Sequence, residues 1–171
     1  MKPIDHPEFF RFPAPPGLSR ESAIVLSRTG EFFHEGGRVE KPALAAAMHT
    51  WLSYHPDDGR VILENGFDWC YIKVEDTAHF VKAIHEVSGA PSIELLSGHT
   101  EALRASTVSV DEDGVVLVQV LPRGAKTPQP ARFLREAQLG LAPWLIDEHT
   151  IRIGEQSFQI QPRLEPSTDP T

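Results

Sequence analysis

The sequence predicts an α+β protein built mainly of antiparallel β hairpins, with one helix in each of two similarly ordered subdomains. Three observations carry this reading. Short stretches rich in β-branched and aromatic residues alternate with turn-forming dipeptides along most of the chain. Only two stretches, from Pro42 and from about Ala131, place apolar residues at helical spacing. The order hairpin, helix, hairpin reads twice, although no residue-level self-similarity accompanies it.

Taken in order, Pro3, Pro7, Pro13, Pro15 and Pro16 make residues 1–22 an extended arm, because fixed φ angles and missing N–H groups oppose helix and central strand. Phe9, Phe10 and Phe12 are too apolar to stand in water, so the arm is expected to dock on the body. Residues 23–90 form the first α+β subdomain. Ala23–Arg28 reads as a strand, Thr29-Gly30 as a turn and Glu31–His34 as the return. Pro42 opens a helix whose stripe is Leu44, Ala47, Met48, Trp51 and Leu52, and His55-Pro56-Asp57-Asp58-Gly59 stops it. Asn65-Gly66 predicts a type I′ hairpin pairing Glu64 with Phe67 and Ile62 with Trp69. Both faces of that hairpin are partly apolar, so it is expected to be covered on both sides. Strands follow at Phe80–Val87, Ser92–Leu96 and Glu101–Arg104.

The second subdomain spans residues 91–161. Ser106–Val110 and Val115–Leu121 flank the acidic turn Asp111-Glu112-Asp113-Gly114, which reads as solvated. A helix is expected from Ala131 with Phe133, Leu134, Ala137 and Leu141 on one face, then a hairpin of Thr150–Ile153 and Ser157–Ile160. Residues 162–171, polar and broken by proline, read as a disordered tail.

At 171 residues with 40% hydrophobic and 23% charged composition, the chain holds a core without disulfide or metal. A net charge of -8 repels phosphate backbones, so nucleic acid is not an expected partner, and neither is an anionic membrane. No apolar run is long enough to span a bilayer. Met1–Phe12 has no apolar signal core and Cys70 is the single cysteine, which together predict a cytoplasmic protein.

The motifs exclude more chemistry than they support. His34-Glu35 and His85-Glu86 open like a zinc-protease helix, yet the fifth positions are Arg38 and Gly89, so no metal is expected. Aligning Gly59 or Gly114 with the sixth position of a calcium loop leaves Asn65 or Val120 where a bidentate glutamate belongs. No phosphate loop, dinucleotide fingerprint or nucleophile elbow is present, so neither cofactor nor catalytic residue is assigned.

Three segments carry a family resemblance: Ile24–Gly36 with Val39 and the helix from Pro42; Tyr71-Ile72-Lys73-Val74-Glu75-Asp76 with Ala78 and Phe80; and Val120–Gly124 with Ala131-Arg132-Phe133 and Arg135. They resemble the bacterial family known as domain of unknown function 1285. The chain departs from the family pattern at Phe32, usually Trp, around Thr77, where it has an extra residue, and at His79, usually Pro. The resemblance implies two subdomains with repeated elements, the second superficially like a pleckstrin-homology fold, no established activity, and a suggested link to signalling.

The function expected on this reading is non-catalytic: a regulatory protein that binds a small molecule or peptide between its subdomains. Trp69, Glu75, Asp76, Arg123 and Arg132 are the candidate site residues, because their charges are embedded beside apolar segments and Trp69 lies on an aromatic hairpin face. The same charges are also readable as ion pairs tying the subdomains together. The alternative is a metal-independent enzyme with an acid–base pair such as Asp76 or Glu75 with His79.

Overall fold

The computed structural model describes residues 1–165. The first sheet is formed by β1 (Glu21–Leu26), β2 (Phe32–His34), β3 (Gly37–Arg38), β4 (Leu52–Tyr54), β5 (Val61–Glu64) and β6 (Trp69–Val74), in the order β3-β2-β1-β6-β5-β4. Helix α1 (Pro42–Thr50) joins its two meanders, β1–β3 and β4–β6, and the first and last strands meet in parallel. The second sheet contains β7 (His79–Val87), β8 (Ala90–Leu95), β9 (Thr100–Ala102), β10 (Ser109–Val110), β11 (Val116–Val120) and β12 (Gln129–Phe133). Here too two meanders, β7–β9 and β10–β12, are joined by a parallel pairing of their first and last strands. The repeated order is therefore meander, connection, meander. In the second copy the connection is only a 3-10 turn at Ala105–Thr107, and helix α2 (Arg135–Leu139) follows the sixth strand.

This repeat moves the strand Phe80–Val87, read as closing the first half, into the second sheet. The expected helix start at Ala131 is also replaced. Residues 129–133 bond to β11 on one side and to β7 on the other, and two ladders outweigh a weak local helix signal. Leu52 likewise leaves the helix to begin β4, paired with Leu63.

The Asn65-Gly66 hairpin forms with its register displaced by two residues, pairing Ile62 with Tyr71 and Glu64 with Trp69. Gly66 has φ +87, whereas Asn65 keeps a negative φ, so the turn is centred on Gly66-Phe67. Because the displacement is even, every side chain stays on its expected face. Leu63 and Ile72 pack with Leu26, Phe32, Met48 and Phe80, while Ile62 and Trp69 meet Phe9 on the other face. Ile62 and Trp69 are buried and Val74 is half-buried. The arm is thus docked as expected, but as two 3-10 turns, Pro3–Asp5 and Phe9–Arg11, and residues 21–22 already belong to β1.

A small sheet of β13 (Leu145–Asp147), β14 (Thr150–Ile153) and β15 (Gln156–Gln159) packs with α2 on the second sheet, burying Ile151, Leu141 and Ala137 against Val81, Val118 and Phe133. Two residues read as tail make contacts with the body: Pro162 belongs to β16 (Gln161–Pro162), which pairs in parallel with β10, and Arg163 pairs with Asp76. Residues 166–171 of that tail lie outside the described residues.

Candidate functional site

The five candidate residues do not meet in one groove. Trp69 is buried under the arm, with its indole N–H donating to the Phe9 carbonyl at 3.3 Å and the Arg20 guanidinium 4.6 Å above its ring. Arg123 reaches across from the second half to the buried Glu64 carboxylate, and also donates to the carbonyls of Thr50 and Leu52 at 3.2 and 3.3 Å. It therefore caps the exposed edge of β4. Neither residue approaches the other three.

Glu75, Asp76 and Arg132 do gather, at the junction of the two sheets. The Arg28 backbone N–H donates to Glu75 at 3.0 Å, and Arg163 forms a two-pronged pair with Asp76 at 2.8 and 3.1 Å. Arg132 donates to Asp111 at 2.6 Å, and its Nε lies 3.7 Å from Asp76. Asp111 was read as part of a solvated turn, yet its side chain is only 3% exposed. Its Oδ1 accepts from the N–H groups of Asp113 and Val115, and its Oδ2 takes Arg28 and Arg132. Burial pushes the carboxyls of Asp76 and Asp111 up, but for Asp76 the Arg163 pair, and for Asp111 the Val115 N–H with Arg132, outweigh it and hold both below the usual range.

Beside this cluster, both halves contribute to a cleft of about 390 Å³. Arg28 and Thr29 come from the β1–β2 turn, Arg132 and Phe133 from β12, Arg135 from the start of α2 and Phe80 from β7. Arg132 is thus the candidate residue placed in this cleft, whereas Glu75 and Asp76 line a separate cleft of about 490 Å³ with Ser109, Gln119 and Arg163. Arg28 and Arg135 were not singled out as site residues. Arg135 is exposed, and no described carboxylate lies within ion-pair distance of it. A helical reading of residues 131–141 hides this convergence, because only the strand, turn and helix actually formed bring Arg135 beside Arg132.

The acid–base alternative meets a different geometry. Asp76 and His79 line one cavity of about 150 Å³ with Tyr54 and Thr77, well below the roughly 300 Å³ of the smaller ligand pockets. Asp76 is held by Arg163, and His79 Nε2 lies 2.6 Å from the Tyr54 hydroxyl. Burial lowers the His79 imidazole to about 4 and raises the Tyr54 hydroxyl. A neutral, enclosed imidazole of that basicity is poorly matched to proton abstraction near neutrality. Three histidines, His49, His55 and His79, are buried rather than at the surface. Among the described residues, no three His, Cys, Asp or Glu side chains are placed to hold a metal ion, and no helix is long and apolar enough to cross a membrane.

No family model and no curated protein matches the sequence. Solved structures do. A DUF1285 family protein from Silicibacter pomeroyi is similar with a TM-score of 0.58 at 14% identity, over 83% of this chain and 81% of that one. A DUF1285 family protein from Shewanella baltica is similar with a TM-score of 0.52 at 15% identity, over 73% of this chain and 94% of that one. At these identities the likeness is one of architecture, and it agrees with the resemblance carried by the three sequence segments. The chain therefore has a DUF1285-like fold.

Proposed function

We propose that this protein is a non-catalytic binding protein whose inter-sheet cleft takes a small organic anion, a carboxylate or phosphate ester carrying an apolar group. The observation that carries the reading is the convergence of Arg28, Arg132 and Arg135 on a cleft also lined by Phe80, Phe133 and Leu134. Guanidinium groups bind carboxylate and phosphate through paired N–H donors, and the apolar lining takes the rest of the ligand. Three arginines against the one carboxylate of Asp113 make the lining a local basic pocket on an acidic chain, which selects a small anion over a polyanion. A regulatory role in signalling and a pleckstrin-homology-like second half belong to the same reading as what the family resemblance of the sequence implies, and a cytoplasmic setting rests on the single Cys70.

The test is thermal stabilisation by phenyl phosphate, with phenol and inorganic phosphate as its two halves. Phenyl phosphate is expected to raise the melting temperature in a salt-sensitive manner, more than either half. Arg135→Ala removes an exposed side chain with no hydrogen-bond or ion-pair partner among the described residues, so the variant should melt like the parent and bind about tenfold more weakly. Arg38→Ala, outside the lining of the cleft, should bind like the parent. Equal binding by the Arg135→Ala and parent proteins, or no response to phenyl phosphate at all, overturns the reading.

A further inference from the structure

The apolar stripe of α1 is only partly covered. Leu44 is 42% exposed and Trp51 half-buried, although the helix lies over the face of the first sheet that carries Leu63 and Cys70. The gap between helix and sheet is a groove of about 440 Å³, the size of a small-molecule pocket. Its apolar walls are Leu44 and Met48 on the helix, Trp51 just after it, and Ile24, Leu63 and Cys70 on the strands. Polar groups enter only at the hairpin end and at β2, where Asn65, Asp68 and His34 stand.

The charge at that mouth selects the occupant. No lysine or arginine lines the groove, whereas the Asp68 carboxylate does. Asp68 pairs with Arg20 and accepts the Trp69 N–H, both through Oδ1, and its side chain remains 56% exposed. A carboxylate or phosphate bound here would face that charge with no cation in the lining to answer it. A protonated amine would face a carboxylate with Oδ2 to spare, while its hydrocarbon part displaced water from the apolar walls.

We propose that the groove between α1 and the first sheet binds a small apolar amine, with the hydrocarbon against Leu44, Met48, Trp51 and Cys70 and the ammonium at Asp68. This site shares no residue with the inter-sheet cleft and stands or falls independently of it.

The protein carries its own reporters, since the Trp51 side chain lines the groove and Cys70 is the single cysteine. Phenethylamine, phenethyl alcohol and phenylacetate, matched in their aromatic part, are titrated separately. Binding is read by tryptophan fluorescence and by protection of Cys70 from iodoacetamide. The expected order is amine first, alcohol about three- to tenfold weaker and carboxylate weakest, with Cys70 protected by the amine. Asp68→Asn should bring amine and alcohol to within about twofold of each other, and Leu44→Arg, a change at an exposed position, should abolish binding of all three with an unchanged circular dichroism spectrum. The proposal is overturned if phenylacetate binds as well as the amine, if none of the three binds, if Cys70 stays reactive in the amine complex, or if a folded Leu44→Arg protein binds like the parent.

Discussion

His79 is neutral in the folded protein at neutral pH, because enclosure beside Tyr54 penalises the imidazolium. Its proton is bound near the ordinary value of 6.5 in the unfolded chain but only at about 4 in the folded one. Between those values the unfolded state holds more protons, so unfolding free energy falls as pH falls across that window and levels off below it. The full effect of this one group is on the order of 3 kcal/mol. His49, also lowered by burial, acts with the same sign. Urea midpoints measured from about pH 7 down to about pH 4.5 should therefore drop, and His79→Gln should shrink that drop by at least about 1 kcal/mol. An unchanged pH dependence in the variant would show that His79 is not charged on unfolding as this geometry requires.

The arm is the element whose role is most readily tested. Its backbone bonds to the hairpin turn through the Ile4 N–H and the Gly66 carbonyl at 3.2 Å, Arg11 pairs with Asp57 at 3.0 Å, and Phe9 is buried against Ile62 and Trp69. Phe9→Ala would leave a cavity beneath Trp69 and is expected to cost about 3–4 kcal/mol. A red shift of tryptophan emission should accompany it. A variant as stable as the parent would mean that the arm rests on the body without contributing to its core. The arm's docking was legible in the sequence because phenylalanines among prolines have no solvated alternative. Its 3-10 turns were not, because they form only once the hairpin supplies a surface.

At the scale of the molecule, two contacts add to the packing of Phe80 among Leu26, Phe32 and Met48 and to the hydrogen bond between Tyr54 and His79 in tying the halves. One is the cluster of Asp76, Asp111, Arg28, Arg132 and Arg163; the other is the loop after β11, which lies across β4. Gly124 in that loop has φ +79, and a Cβ there would sit 2.3 Å from the Ser53 hydroxyl, so only glycine allows the approach. Its neighbour Arg123 answers the buried Glu64. Arg123→Ala strands that carboxylate and is expected to cost about 2 kcal/mol, with half of the Arg123 side chain already in solvent. Glu64→Gln in the same background should recover part of the loss. Chemical denaturation of the single and double variants decides this, and a neutral Arg123→Ala would remove the loop from the ties between the halves.

The sequence by itself determined the features set by local chemistry. Gly66 had to take a positive φ, Pro42 had to start a helix, and alternation in residues 60–74 had to put Ile62 and Trp69 on one face and Leu63 and Ile72 on the other. These follow from steric limits and side-chain period, which act over a few residues. Only the tertiary structure decided that residues 129–133 are a strand between β11 and β7, and that β1 lies parallel to β6. The site followed the same division. Embedded charges at Asp76 and Arg132 were readable, but their partners Arg163 and Asp111 lie 87 and 21 residues away, and Trp69 and Arg123 went to separate structural tasks. Pairings of that range are chosen by which strands share a sheet, a competition among ladders and cores that no local pattern records.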